Sequence, residues 1–93
     1  MIIEFKNDDS AYLEWIQKNP SGFVLNARRV PDQAYMVLHK STCPHISISR
    51  SYGGFTEKGY IKICSRTSSG LHEWGKQHGC RDGVSKECLI CKP

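Results

Sequence analysis

Five cysteines in a chain of 93 residues, the last two set as Cys88-Leu89-Ile90-Cys91, constrain this fold more than any other feature. An odd number cannot be used up in disulfides. A domain near this size buries a modest share of its surface, so a staple contributes usefully to its stability. Two cysteines separated by two residues can turn around one metal ion, because the intervening backbone N–H groups fold back towards the sulfurs. Zinc, with four tetrahedral ligands preferably thiolate or imidazole, is the expected occupant. A redox dithiol usually opens a helix inside a βαβ unit; this pair ends the chain, so metal is the expectation.

The pair is half a site, and the residues offer two completions. His78 and Cys80 would make a local loop, His-x-Cys-x7-Cys-x2-Cys. Cys43, just after one expected strand, and Cys64, at the end of another, would instead tie the tail across the end of a sheet, with His39 and His45 as substitutes near Cys43. Closing long loops constrains the unfolded chain most, so the distant scheme does more for a small core. In either scheme the ligand set is closed and the metal structural. Taken singly, Cys43 and Cys64 can equally be buried small hydrophobes.

Local patterning predicts the frame around that site. Met1 to Phe5 is a short strand or a lead-in. Asp8, Asp9 and Ser10 carry side-chain oxygens suited to a first helical turn, Tyr12, Leu13, Trp15 and Ile16 follow at helical spacing, and Pro20 ends the helix. Gly22 to Ala27 and Ala34 to Lys40 read as a β-hairpin with a type I turn at Pro31-Asp32. Ile46 and Ile48 suggest a short further strand, and residues 51–55 a glycine-rich loop. Tyr60 to Ser65 is a strand. Ser68 or Ser69 caps a second helix bearing Leu71 and Trp74, with Gly79 as its stop. The expectation is a single α+β domain over residues 1–93: a small antiparallel sheet, two helices anchored by Trp15 and Trp74, and a cysteine-rich C-terminal zinc knuckle.

Apolar runs fall far short of the roughly 20 residues a membrane span needs, and the first residues hold no apolar signal region. With the cysteine usage, this points to a reducing cytoplasm, where stable disulfides are rare.

Leu38-His39-Lys40-Ser41-Thr42-Cys43, Tyr60-Ile61-Lys62-Ile63-Cys64-Ser65, Leu71 with Trp74, and Cys88-Leu89-Ile90-Cys91 together resemble a pattern of small prokaryotic cysteine-containing domains of uncharacterised role, some joined to restriction-type nucleases. The resemblance covers roughly residues 22 to 93. It implies Cys43, Cys64, Cys88 and Cys91 as zinc ligands, leaves Cys80 free, and implies an association with DNA handling in defence or restriction. No nuclease domain is expected within these 93 residues, so the resemblance does not by itself carry that role over.

Charge is the remaining clue. Residues 1–20 set Lys6 and Lys18 against Glu4, Asp8, Asp9 and Glu14, a net of −2, while residues 21–93 carry a net of +6. A basic body suggests a polyanionic partner. Arg28, Arg29, Lys40, Arg50, Lys58, Lys62 and Arg66 could neutralise phosphates, and Tyr52 or Phe55 could stack on a base; the same aromatics could instead fold back onto the core. The expected function is therefore a zinc-stabilised nucleic-acid-binding module. The alternatives are a protein-interaction regulator of the phage or bacterial inhibitor type, and a thiol enzyme using Cys43 with His39 or His45. No metalloprotease helix motif, phosphate-cradling glycine loop or paired-carboxylate set is visible, and no helix-turn-helix or zinc-finger spacing either.

Overall fold

A computed structural model describes residues 2–47 and 54–93. In chain order these form β1 (Ile2–Phe5), α1 (Asp9–Lys18), β2 (Phe23–Arg28), β3 (Met36–Lys40), α2 (Pro44–Ser47), β4 (Tyr60–Ser65), α3 (Ser68–Gln77) and β5 (Lys86–Glu87). The strands make one sheet in the order β1-β4-β2-β3-β5.

Its first four strands pair antiparallel, but β5 runs parallel to β3, with Val37 opposite Lys86 and Leu38 opposite Glu87. The sheet is thus mixed, not the purely antiparallel one the sequence suggests. The reason lies in the tail. After α3 the chain returns along the outer edge of β3, tied there by Ser85 N–H to the Met36 carbonyl and Cys88 N–H to the Leu38 carbonyl, both 2.9 Å. Two polar residues carry no alternation that would announce a strand.

The helices are capped by their flanking residues. The Asp8 carboxylate accepts from Ala11 N–H at 3.1 Å and starts α1. Thr67, rather than Ser68 or Ser69, caps α3 by accepting from Gly70 N–H at 3.2 Å, and Gly79, at φ 103°, lets the chain leave it. Ile46 lies in the short helix α2, not in a strand; Ile48 and residues 51–53 lie outside the described residues. The hairpin turns at Asp32, whose carbonyl accepts from Tyr35 N–H and whose carboxylate accepts from Ala34 N–H.

Side chains of paired strand residues share a face, and the register sorts the core in two. Phe5, Val24, Val37, His39 and Cys64 point to one face, against Tyr12 and Ile16 of α1, Ile46 of α2, Cys43 and Cys88. Leu25, Ala27, Met36, Leu38, Ile61 and Ile63 point to the other, against Leu71 and Trp74 of α3 and Cys80. The result is three layers with the sheet in the middle. Trp74 anchors α3 as expected, its indole N–H donating to Glu4 at 3.0 Å. In α1 the fully buried anchor is Tyr12, with its hydroxyl donating to the Ile46 carbonyl, while Trp15 is half-buried at the edge of the core. Among the described residues no helix is long and apolar enough to cross a membrane.

Candidate metal centre

The first core ends in a group of four donor residues. His39 is the next-to-last residue of β3 and points into that core, 6 % exposed. The chain then turns sharply: Cys43 N–H donates to the Lys40 carbonyl at 3.0 Å, and the Cys43 carbonyl receives Ile46 N–H and the Ser47 hydroxyl, so Cys43 starts α2. From the opposite direction, the Cys88 bond to Leu38 lays the tail beside His39. Lys92, at φ 50°, donates its N–H to the Cys88 carbonyl at 3.0 Å and closes the knuckle. One ligand atom each from His39, Cys43, Cys88 and Cys91 then lies within 4.8 Å of the others, three of the four residues buried. The group can hold a metal ion.

Three observations fit a metal. The Sγ atoms of Cys43 and Cys88 are 3.9 Å apart; a tetrahedral ion with metal–sulfur bonds of about 2.3 Å sets that separation at about 3.8 Å. Each sulfur faces backbone N–H groups, as a thiolate requires: Cys43 accepts from His45, Cys88 from Ile90 and Cys91, and Cys91 from Lys40 at 3.2 Å. His39 Nδ1 is buried with no hydrogen-bond partner. Such an orphan costs about 1–3 kcal/mol, and a metal bond at the ring would account for it.

The electrostatics agree in part. Burial, then electrostatic interaction with His45 and Lys62, holds His39 down to about 4, so its ring is neutral, as a ligand must be. For Cys88, burial raises the thiol, but the N–H groups of Cys91 and Ile90 and the Cys91 and Cys43 side chains outweigh it and the net shift is downward. Cys43 goes the other way. Its burial, only partly relieved by the His45 N–H, combines with the Cys91 and Cys88 sulfurs to push it up to about 12. Three sulfurs this close cannot all ionise together by themselves; a divalent ion would remove that conflict.

Of the residues proposed from sequence, Cys43, Cys88 and Cys91 come together and Cys64 does not join them. Val24 pairs with His39 on one side and with Cys64 on the other, so Cys64 sits in the same row but two strands away, roughly 10 Å at the usual strand spacing. It is fully buried and burial raises its thiol. His39, named from sequence as a substitute, occupies the position that the resemblance implied for Cys64. The local scheme is not formed. Cys80 packs in the second core, on the far side of the sheet from the knuckle, and His78 stacks on Trp74 at 3.7 Å with Nδ1 against the Trp74 carbonyl.

Among the described residues, the basic side chains do not gather into one patch. Arg28, Arg29 and Lys58 lie at the end of the sheet where β2 finishes and β4 begins, and Lys40 and Arg66 at the opposite end. Arg28 pairs with Asp32 at 2.7 Å and lies over Tyr35. Arg29 donates to the carbonyls of Lys58 and Thr56. Two residues depart from the expected phosphate-facing role. Lys62 is 4 % exposed, its ammonium donating to Asn26 at 2.9 Å and the Phe55 carbonyl at 2.6 Å. Phe55 packs against Tyr12, ring centroids 5.6 Å apart. Both serve the core because β4 turns Lys62 inward and Asp9 pins the segment before β4 by accepting from Phe55 N–H, Thr56 N–H and the Thr56 hydroxyl. Arg50 and Tyr52 lie outside the described residues. No protein-family model matches the chain, and neither does any curated protein or solved structure.

Proposed function

We propose that this chain is a zinc-stabilised binding module whose metal is structural and whose partner is nucleic acid. The observation that carries it is the convergence of the four donors on one point. Three thiolates and one imidazole suit zinc, and four protein ligands leave no open position for a substrate, which is the pattern of a structural rather than a catalytic ion. The ion would join the end of β3, the start of α2 and the tail, three segments that a core of this size holds weakly by itself.

The polyanionic partner rests on the +6 balance of residues 21–93 and on Lys40, Lys58 and Arg66 standing exposed at the two ends of the sheet. A setting in defence or restriction is what the resemblance suggests. Titrating a single-stranded and a double-stranded oligonucleotide against the zinc-loaded protein at about 50 and 200 mM salt tests the reading. Binding that weakens steeply with salt supports phosphate contacts; no binding at the lower salt removes the nucleic-acid reading.

A protein partner has one observation in its favour. Leu89 and Ile90, at the tip of the knuckle, are 73 % and 63 % exposed, an exposed apolar pair of the kind that docks into another protein. Recovery of a stoichiometric protein partner that is lost on Leu89→Ser and Ile90→Ser, with no oligonucleotide binding, would select it.

A further inference from the structure

Between the end of α1 and the start of β2 lies an open cleft of about 320 Å³, lined by Lys18, Asn19, Pro20, Ser21, Gly22 and Arg66. It arises from the way α1 stops. Asn19 folds back over the last turn, its N–H and its side-chain Nδ2 both donating to the Trp15 carbonyl. Pro20 carries the chain out of the helix, and Gly22 presses it against Trp15: a Cβ on Gly22 would stand 2.8 Å from that ring. The same Asn19 presents its Oδ1 to Arg66 Nε at 3.3 Å, which fixes the guanidinium beside the cleft and leaves its two terminal nitrogens without a partner among the described residues.

We infer that this cleft binds a phosphate group, held by Arg66 and Lys18. A guanidinium with both terminal nitrogens open is the side chain best shaped for phosphate oxygens. Lys18 is committed only to Glu14, an exposed pair at 3.6 Å, and such pairs rearrange at little cost. Among the described residues no carboxylate lines the cleft. The C-terminal end of α1 opposes an anion here with about half a negative charge, but two full positive charges outweigh it. The Ser41 hydroxyl, buried and without a hydrogen-bond partner among the described residues, packs against Gly22 but does not line the cleft. At the opposite end of the sheet Arg28 is already neutralised by Asp32, which makes the cleft the better phosphate contact of the two.

The inference deepens the nucleic-acid reading and rests on it for the source of the phosphate, a strand phosphodiester rather than a free phosphate. The test uses the zinc-loaded chain in two arms. In the first, inorganic phosphate is titrated while backbone amide and arginine side-chain NMR signals are followed. Shifts centred on Ser21, Gly22 and Arg66 are expected; none there would overturn the cleft. In the second, oligonucleotide affinity is compared between Lys18→Gln with Arg66→Gln and a control of equal charge change, Lys76→Gln with Arg81→Gln, both exposed. The cleft pair should weaken binding about tenfold or more and lower the salt slope by about one phosphate's worth, with the control within about twofold. Equal weakening in both pairs would overturn the cleft as the strand contact. Phosphate shifts in the first arm without oligonucleotide binding in the second would keep the site, assign it to free phosphates, and defeat the nucleic-acid reading alone.

Discussion

The two faces of the sheet are held by different means. The second core, between the sheet and α3, is conventional: branched and aromatic side chains close over Cys80, and α3 touches the following turn so closely that a Cβ on Gly75 would lie 1.5 Å from the Gly83 carbonyl. The first core contains Cys64 and Tyr12 but also a buried ammonium, an orphaned imidazole nitrogen and three converging sulfurs. Polar groups that are expensive to bury are concentrated in this first core. The lesson is that cysteine burial alone says little. Cys64, Cys80 and Cys43 are all buried, yet only Cys43 lies beside other donors.

That contrast can be broken in steps. The largest effect should come from Cys88→Ser or Cys43→Ser, which removes a ligand and with it most of the folding energy the ion contributes; structural zinc is worth on the order of 10 kcal/mol in small domains. Thermal unfolding followed by circular dichroism should show these variants largely unfolded, and chelation should do the same to the wild type. Gly75→Ala should be next, since the clash is with backbone that cannot step aside: a loss of about 3 kcal/mol or more in urea unfolding, with zinc still bound because the damage lies on the other face.

Lys62 gives a pH signature of the first core. Burial, against the opposing pull of Asp9 and Cys64, lowers its ammonium to about 8. Its folded-state value lies below the ordinary one of about 10.4, so between roughly pH 8 and 10 the unfolded chain holds more protons and stability rises with pH. Full expression of the shift would be about 3 kcal/mol. Urea unfolding of the zinc-loaded protein at both ends of that window should show the rise, and Lys62→Met should flatten it. The smallest effect is Cys64→Ala or Cys80→Ala, each expected to cost about 1–2 kcal/mol for a lost buried sulfur without changing metal content.

How far these contrasts were legible follows the range of the interactions involved. α1, the hairpin strands, β4 and α3 were readable because caps, Pro20 and alternating apolar residues act within a few positions. The half-site at Cys88 and Cys91 was readable for the same reason. The choice of fourth ligand was not. His39 and Cys64 have the same parity relative to Val24, and which strand lies nearer the tail depends on the order β4-β2-β3-β5, a long-range outcome. The parallel strand β5 is too short to carry a pattern, so its position beside β3, which selects His39, had no local signal. Lys62 misled because a lysine on a strand reads as exposed unless the partners that bury it, Asn26 and Phe55, are known to converge on it.

The proposed centre is one zinc ion held by His39 with Cys43, Cys88 and Cys91. Competition of the purified protein with a chromophoric chelator, alongside elemental analysis, tests it most directly. One zinc per chain is expected in the wild type and in Cys64→Ala and Cys80→Ala, with affinity falling at least about a hundredfold in His39→Ala. Undiminished affinity in His39→Ala together with loss of zinc from Cys64→Ala would contradict the account.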